Sequence, residues 1–314
     1  MSDLAMDLSG VDLDGSLTLT VAWRSGKKLK LGRVETGPKV DAAFRELIRI
    51  AIDDLGNRAA EPWAPDADLT AETYLVIDAA DLGPAPVLAS EYLNRTLVEV
   101  LRDAQTIPPL DAKSLPTADM VFYALTIDHA AADRVTFLRR SNPRRGLRRA
   151  SFFAGLGDSL TAIEEPIFAF DGAVDLVFSG PQVAILSHTA FAALFRDQQT
   201  LTAQVPKWVS ELHAHVPLSE AGRDVLVERA LAVTHLRTRL EAIVVRGHLK
   251  DVAPETLRKA MEANDLDPDR LLNAQGELIL EPDDVPSVLY FLNEDLFYGP
   301  ITEIGFRADK KAAR

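Results

Sequence analysis

Between Met120 and Ser187 the chain returns again and again to short β-forming runs. "MVFYALTI" (Met120 to Ile127), "RVTFLRR" (Arg134 to Arg140) and "LRRASFF" (Leu147 to Phe153) read as strands. "IFAF", "VDLVFS" and "QVAILS" follow, separated by Asp171-Gly172 and Gly180-Pro181. Both pairs are turn chemistry, so the segment predicts a central antiparallel β-meander.

The flanks differ in character. Before the meander, strands and helices mix. "SLTLTVAW" (Ser16 to Trp23) is a strand, and a Ser25-Gly26 turn leads to a second one, forming a hairpin with Lys27, Lys28, Lys30 and Arg33. A helix follows, with Phe44, Leu47, Ile48 and Ala51 on one face and Gly56 as its stop. "EPWAPDAD" reads as a Pro/Asp linker and "TYLVID" as a strand. "SEYLNRTLVEVLRDA" reads as a helix with Tyr92, Leu93, Leu97 and Val100 inward. The loop "TIPPLDAKSLPTAD" is the first candidate domain boundary.

After Ser187 the pattern turns helical. Phe191, Leu194 and Phe195 share one helical face, and Pro206 is a candidate helix start. Ser219 is placed to cap a long helix from about Ala221 to Arg246, whose Leu226, Val233, Leu236, Leu240 and Ile243 form a near-heptad stripe. "APETLRKAMEAND" is a short helix, "GELILE" a strand and "DDVPSVLYFLNED" a helix, before "LFYGPITEIGFRAD" closes the chain. The fold class expected is α+β: an N-terminal α/β part, the meander, and a helical C-terminal part with a closing strand-helix-strand. The division expected is 1–118 and 119–314.

Composition narrows the function classes. At 47% hydrophobic, the 314 residues can bury a substantial core. There is no cysteine, which excludes disulfides, thiolate metal sites and cysteine nucleophiles. The acidic start "MSDLAMDLSGVDLDG" lacks a signal pattern, and no apolar run approaches the roughly 20 residues of a membrane span. A soluble, cytoplasmic protein is expected, with any membrane recruitment coming through a partner.

Against a net charge of −13, "RRSNPRRGLRR" (Arg139 to Arg149) holds six arginines in eleven residues and no acid. Read as a hairpin of "RVTFLRR" and "LRRASFF", the strand period puts Arg139 and Arg140 on opposite faces, and likewise Arg148 and Arg149 on the return strand. Arg144 and Arg145 then sit at the tip, beyond Asn142-Pro143. Arginines on both faces predict a hairpin end projecting beyond the core, because an unpaired buried guanidinium costs several kcal/mol. Such a finger suits phosphate, which the planar fork binds bidentately. Lys27, Lys28 and Lys30 form a smaller candidate patch of the same kind. Arg237, Arg239 and Arg246 read as solubilising residues of a helix face.

Catalytic patterns are weak. His213 and His215 lie in a helical context where i and i+2 diverge, so they read as surface residues near a helix end. Asp171 is a turn residue, and it and Asp175 are the candidate acids for a Mg²⁺-dependent nuclease site. The acid-x-lysine triplet of a restriction-like nuclease is missing there. No P-loop or GxSxG pattern occurs, and no cofactor or metal is expected.

Two longer stretches carry a resemblance. "GDSLTAIEEPIFAFDGAVDLVFSGPQVAILSHTAFAALF" and "VLYFLNEDLFYGPITEIGF" resemble the KwaB family, the cytoplasmic component of the Kiwa anti-phage defence system. The order of features is similar as well, most clearly from about Phe122 to Phe306. The resemblance implies a DNA-binding effector that interferes with phage DNA replication or expression. It also implies self-association, as a homodimer, and association with a membrane-spanning partner subunit at the inner membrane. It supplies no catalytic residue. The leading expectation is therefore a non-enzymatic effector that binds duplex DNA through Arg139, Arg140, Arg144, Arg145, Arg148 and Arg149, joined by Lys27, Lys28 and Lys30. The alternatives are a metal-dependent nuclease, or an interaction module whose arginines dock an acidic partner.

Overall fold

The computed structural model describes residues 4–82, 87–92, 95–115, 119–130, 134–141, 152–156, 159–163, 172–196, 198–250, 252–298 and 305–307. The chain divides into two compact units, one of residues 1–62 and 69–197, the other of 63–68 and 198–314. This differs from a division at 118. Strands on both sides of that point belong to one sheet, and "TIPPLDAKSLPTAD" contributes a strand to it rather than a boundary.

The first unit is built on that sheet. Its strands are β1 (Leu17–Ser25), β2 (Lys28–Val34), β3 (Ala59–Pro62), β4 (Thr73–Asp78), β5 (Pro109–Leu110), β6 (Met120–Asp128), β7 (Arg134–Arg140), β10 (Leu176–Ser179) and β11 (Gln182–Ile185). They lie in the order β3-β4-β11-β10-β7-β6-β1-β2-β5. The neighbours from β4 to β2 are antiparallel, while β3 runs parallel to β4 and β5 to β2. The meander expected from the sequence is the run β6-β7-β10-β11. Among the described residues, the strands β8 (Phe152–Leu156) and β9 (Ser159–Ile163) pair with each other in a separate two-stranded sheet.

Among the described residues the pairing differs from that of the expected arginine hairpin. "RVTFLRR" does not pair with the strand that contains Phe152 and Phe153. Its two edges are filled by β6 and β10, with Leu138 opposite Ala124 on one side and Leu176 on the other. The rest of the expected return strand, residues 147–151, lies outside the described residues.

The period of two divides the sheet's side chains between two covers. Leu19, Val21, Tyr123, Leu125, Val135, Phe137 and Val177 pack against α1 (Pro38–Gly56) through Phe44, Leu47, Ile48, Ala51 and Leu55. The opposite face meets α2 (Leu97–Arg102) and α3 (His188–Phe195), where Phe178 packs on Phe195 with ring centroids 6.3 Å apart. This side carries a row of buried threonines. Thr126 Oγ1 donates to Leu101 O at 3.1 Å and lies 2.9 Å from Thr136 Oγ1, while Gln105 Nε2 donates to Thr18 Oγ1 at 2.9 Å. The expected single helix before the meander splits in two. Tyr92 ends a short 3₁₀ turn, and Thr96 opens α2 with a capping box to Glu99. Leu93 lies outside the described residues.

The second unit is helical, with α4 (Gln198–His213), α5 (Glu220–Ala232), α6 (Thr234–Arg246), α7 (Pro254–Ala263), α8 (Pro268–Leu271) and α9 (Val285–Leu292), closed by the hairpin of β12 (Leu296–Tyr298) and β13 (Gly305–Arg307). Pro206 lies inside α4 rather than at its start. Ser219 caps α5 by accepting from Gly222 N at 3.1 Å.

The long helix is interrupted. Val233 is extended at φ −124° and ψ 110°, which separates α5 from α6. Arg237 compensates the break by donating to Leu231 O and Thr234 Oγ1, each at 3.3 Å. The stripe of Leu226, Leu236, Leu240 and Ile243 is buried in this unit's own core, so it is not a free coiled-coil seam. "GELILE" is likewise no strand. Leu278 makes isolated bridges to Leu218 and Leu272 after the left-handed Gly276 (φ 78°).

Of the three helix arginines, Arg237 and Arg239 are buried and Arg246 is half-buried. Arg239 is 6% exposed, donates from Nε to Asp295 Oδ2 at 3.0 Å, and stacks 3.6 Å over the Tyr290 ring. Arg246 donates to Asp66 Oδ1 at 2.6 Å and to Asn293 Oδ1 at 2.9 Å. Asn293 Nδ2 reaches Asp66 Oδ2 at 2.8 Å and both Asp295 oxygens. The "linker" Trp63–Asp68 is thereby a strap of the second unit, held at Asp66. Among the described residues no helix is long and apolar enough to cross a membrane.

Removing one member of such a network strands the others without water. Asp66→Asn is expected to weaken the second unit by about 3 kcal/mol. Native-state hydrogen exchange should show α6 and α9 amides losing protection while β6 amides keep theirs. A second expectation concerns acid. Arg270 donates to Asp284 Oδ1 at 2.6 Å, and this bond holds the Asp284 carboxyl below its ordinary value of 3.8. A depressed pKa contributes stability that is present above the unfolded value and lost as pH falls. Arg270→Met should therefore flatten the loss of stability below about pH 4, measured by urea unfolding across pH.

Candidate nucleic-acid interface

The strand register gathers the basic residues at one end of the nine-stranded sheet. β1 finishes at Arg24 and Ser25, and Gly26 turns the chain at φ 63°. The chain returns through Lys27 into β2, where exposed Lys28 and Lys30 alternate with buried Leu29 and Leu31. Lys30 stands opposite Trp23, and Trp23 opposite Met120 at the start of β6. Phe122, one pleat further, stands opposite Arg140 at the end of β7. The hairpin lysines and the end of β7 thus share one rim of the sheet. From β2 to β7 is three inter-strand spacings, roughly 14 Å.

Local packing shapes the rim. The outer edge of β2 is closed beside the lysines, since Leu29 N donates to Val87 O at 2.8 Å and Ala89 N to Leu29 O at 2.9 Å. Further along, a Cβ on Gly32 would come 2.7 Å from Leu110 Cβ and 3.2 Å from the Trp23 ring. Only a glycine lets those two side chains close over β2. Arg24, at the end of β1, is exposed at the same rim. It is a member that reading for clusters passed over, because it stands alone in the sequence.

Arg139 is different in kind from its neighbours. Its Nη1 donates to Asp175 Oδ1 at 2.7 Å, and Asp175 Oδ2 accepts the Arg140 backbone N–H at 2.7 Å. Asp175 is 3% exposed, and its own N–H donates to Leu138 O at 2.9 Å. The carboxylate thus completes the rung where β10 pairing stops. Both its oxygens are engaged by the fold, which accounts for an acid at this position without a metal. Asp171, the other acid considered for a nuclease, lies outside the described residues, as do Arg144, Arg145, Arg148 and Arg149. Arg140, Arg24, Lys27, Lys28 and Lys30 form no ion pair among the described residues. One arginine of the run is therefore structural, while the next, Arg140, is half-buried and forms no ion pair among the described residues.

The remaining candidates resolve locally. His213 Nδ1 accepts the Leu218 N–H at 3.0 Å, fixing the turn after α4. His215 is exposed two residues later. Among the described residues no three His, Asp or Glu side chains converge as a metal site. Arg237, Arg239 and Arg246 are spent inside the second unit.

No known protein family, curated protein or solved structure matches this chain.

The Asp175 assignment is testable. Asp175→Asn should cost about 2 kcal/mol, since it removes the buried carboxylate that takes the Arg139 guanidinium and the Arg140 N–H. The loss of melting temperature should be the same with and without Mg²⁺. A metal ligand would instead show stabilisation by Mg²⁺ in the parent chain that vanishes in the variant.

Proposed function

We propose that this chain is an anti-phage defence effector that binds duplex DNA at the basic rim of its nine-stranded sheet and acts as a homodimer with a membrane-spanning partner subunit. One observation supports the DNA part most strongly. Two basic clusters more than a hundred residues apart, around Lys28 and at Arg140, lie on one rim because β1, β2, β6 and β7 are adjacent. The chain leaves β7 at Arg140 and carries Arg144, Arg145, Arg148 and Arg149 within its next nine residues. The defence role and both protein partners rest on the resemblance to the KwaB family.

The physics suits an acidic protein. At a net charge of −13 the far field repels a polyanion, yet a rim of unpaired cations attracts phosphate within a Debye length of roughly 8–10 Å. Affinity on these terms depends steeply on salt. Contacts to four to six phosphates give a slope of log K against log salt of roughly −4 to −5.

The decisive measurement is duplex binding across a salt series. Reversing Lys27, Lys28 and Lys30 to Glu should make the slope shallower by roughly 2.7. Reversing Arg140, Arg144, Arg145, Arg148 and Arg149 should abolish binding. Arg139 is kept in both variants, because its loss would damage the fold at Asp175. Unchanged affinity and slope in both would reject the site, and no duplex binding by the parent chain would favour an acidic protein surface as the arginines' partner.

A further inference from the structure

We infer that the second unit holds a binding site for a small amphipathic anion, separate from the basic rim. A cavity of about 280 Å³ opens between the ends of α4 and α6. Its floor is apolar, with Leu212, Ile243 and Leu249 all at least 91% buried and Val244 beside them. Its polar groups are Glu211, His215 and Lys250.

These three do not balance. Glu211 already has a cation, Lys207, with Nζ 3.5 Å away. His215 and Lys250 are exposed and form no ion pair among the described residues. With Glu211 answered by Lys207, Lys250 is the ammonium left over at the cavity. The backbone favours the same arrangement. Gly247 ends α6 in the left-handed region at φ 59°, and a Cβ there would lie 2.9 Å from Lys250 Cε and 3.1 Å from its Nζ. The missing side chain lets the lysine lie flat across the helix end, where the terminal carbonyls favour a cation. An ammonium held there keeps donors for a further acceptor, and a carboxylate or phosphate oxygen is a stronger partner than a carbonyl.

Size limits the ligand. The volume matches roughly nine waters at about 30 Å³ each, so an apolar body of about eight to ten non-hydrogen atoms fills it. The class is a short acyl or aryl chain with one anionic group.

Octanoate is a suitable probe, with octylphosphate testing the other head group and octylamine the opposite charge. Each is titrated into the full-length chain and followed by methyl NMR. Saturable one-to-one binding of octanoate or octylphosphate, shifting the methyls of Leu212, Ile243, Val244 and Leu249, is expected, and the tighter of the two identifies the head group. Octylamine should bind at least tenfold more weakly. Lys250→Met should weaken the anion about tenfold, with Lys250→Arg restoring it. Ala214→Trp, a change at an exposed position of the cavity wall, should fill the space and abolish binding without loss of fold. The site is rejected if neither anion saturates, if octylamine binds equally well, or if Ala214→Trp binds as the parent does.

Discussion

A carboxylate that loses its water must find donors, and this constraint organises both units. Burying one without partners costs several kcal/mol, more than a small domain can spare. Asp175 meets the demand in the first unit by taking the Arg139 guanidinium and the Arg140 amide where β7 and β10 part. Asp66 and Asp295 meet it in the second, through Arg246, Arg239 and the shared amide of Asn293. Each acid pins segments far apart in the chain. The positions of β7, α6, α9 and the strap follow from satisfying three anions as much as from filling two cores.

The same constraint separates structural arginines from available ones. Arg139 and Arg140 are adjacent and look alike in the sequence. The strand period sends them to opposite faces, and only one finds a buried acid. A protein with 47 acidic and 34 basic residues has carboxylates to spare near most cations. An arginine or lysine that stays unpaired in such a chain is therefore informative, and the rim holds several.

Local pattern was enough to read β1, β2, α1, α3 and the order of the meander. In those elements the alternation or the helical face is itself the result of burial. Three features were not legible, each because it depends on a distant partner. Nothing within "RVTFLRR" says whether its free edge takes the strand at Phe152 or the one at Leu176. Both are short and apolar, and the closing loop is longer for the one that wins. The stripe from Leu226 to Ile243 stays in phase across Val233 because both helices face one core, so periodicity alone shows no break. Arg239 read as a solvated residue because its acid is 56 positions away. At the rim, the two basic clusters were visible separately, but their adjacency is a property of strand order. The cavity at α4 and α6 had no sequence signal beyond Gly247 and Lys250.

The strap has a consequence for how the protein is made. Asp66 is synthesised well before its partners Arg246 and Asn293, which come 180 and 227 residues later. Contacts of that separation close slowly, because the intervening chain must be ordered first. Until then Trp63–Asp68 is a short acidic segment that is harmless in water, and the helices cannot reach their final packing without it. The second unit thus depends on a segment synthesised well before its helices. A fragment beginning at Gln198 would leave Arg246 and Asn293 facing an empty place, so the helical half is not a module that can be cut out and moved.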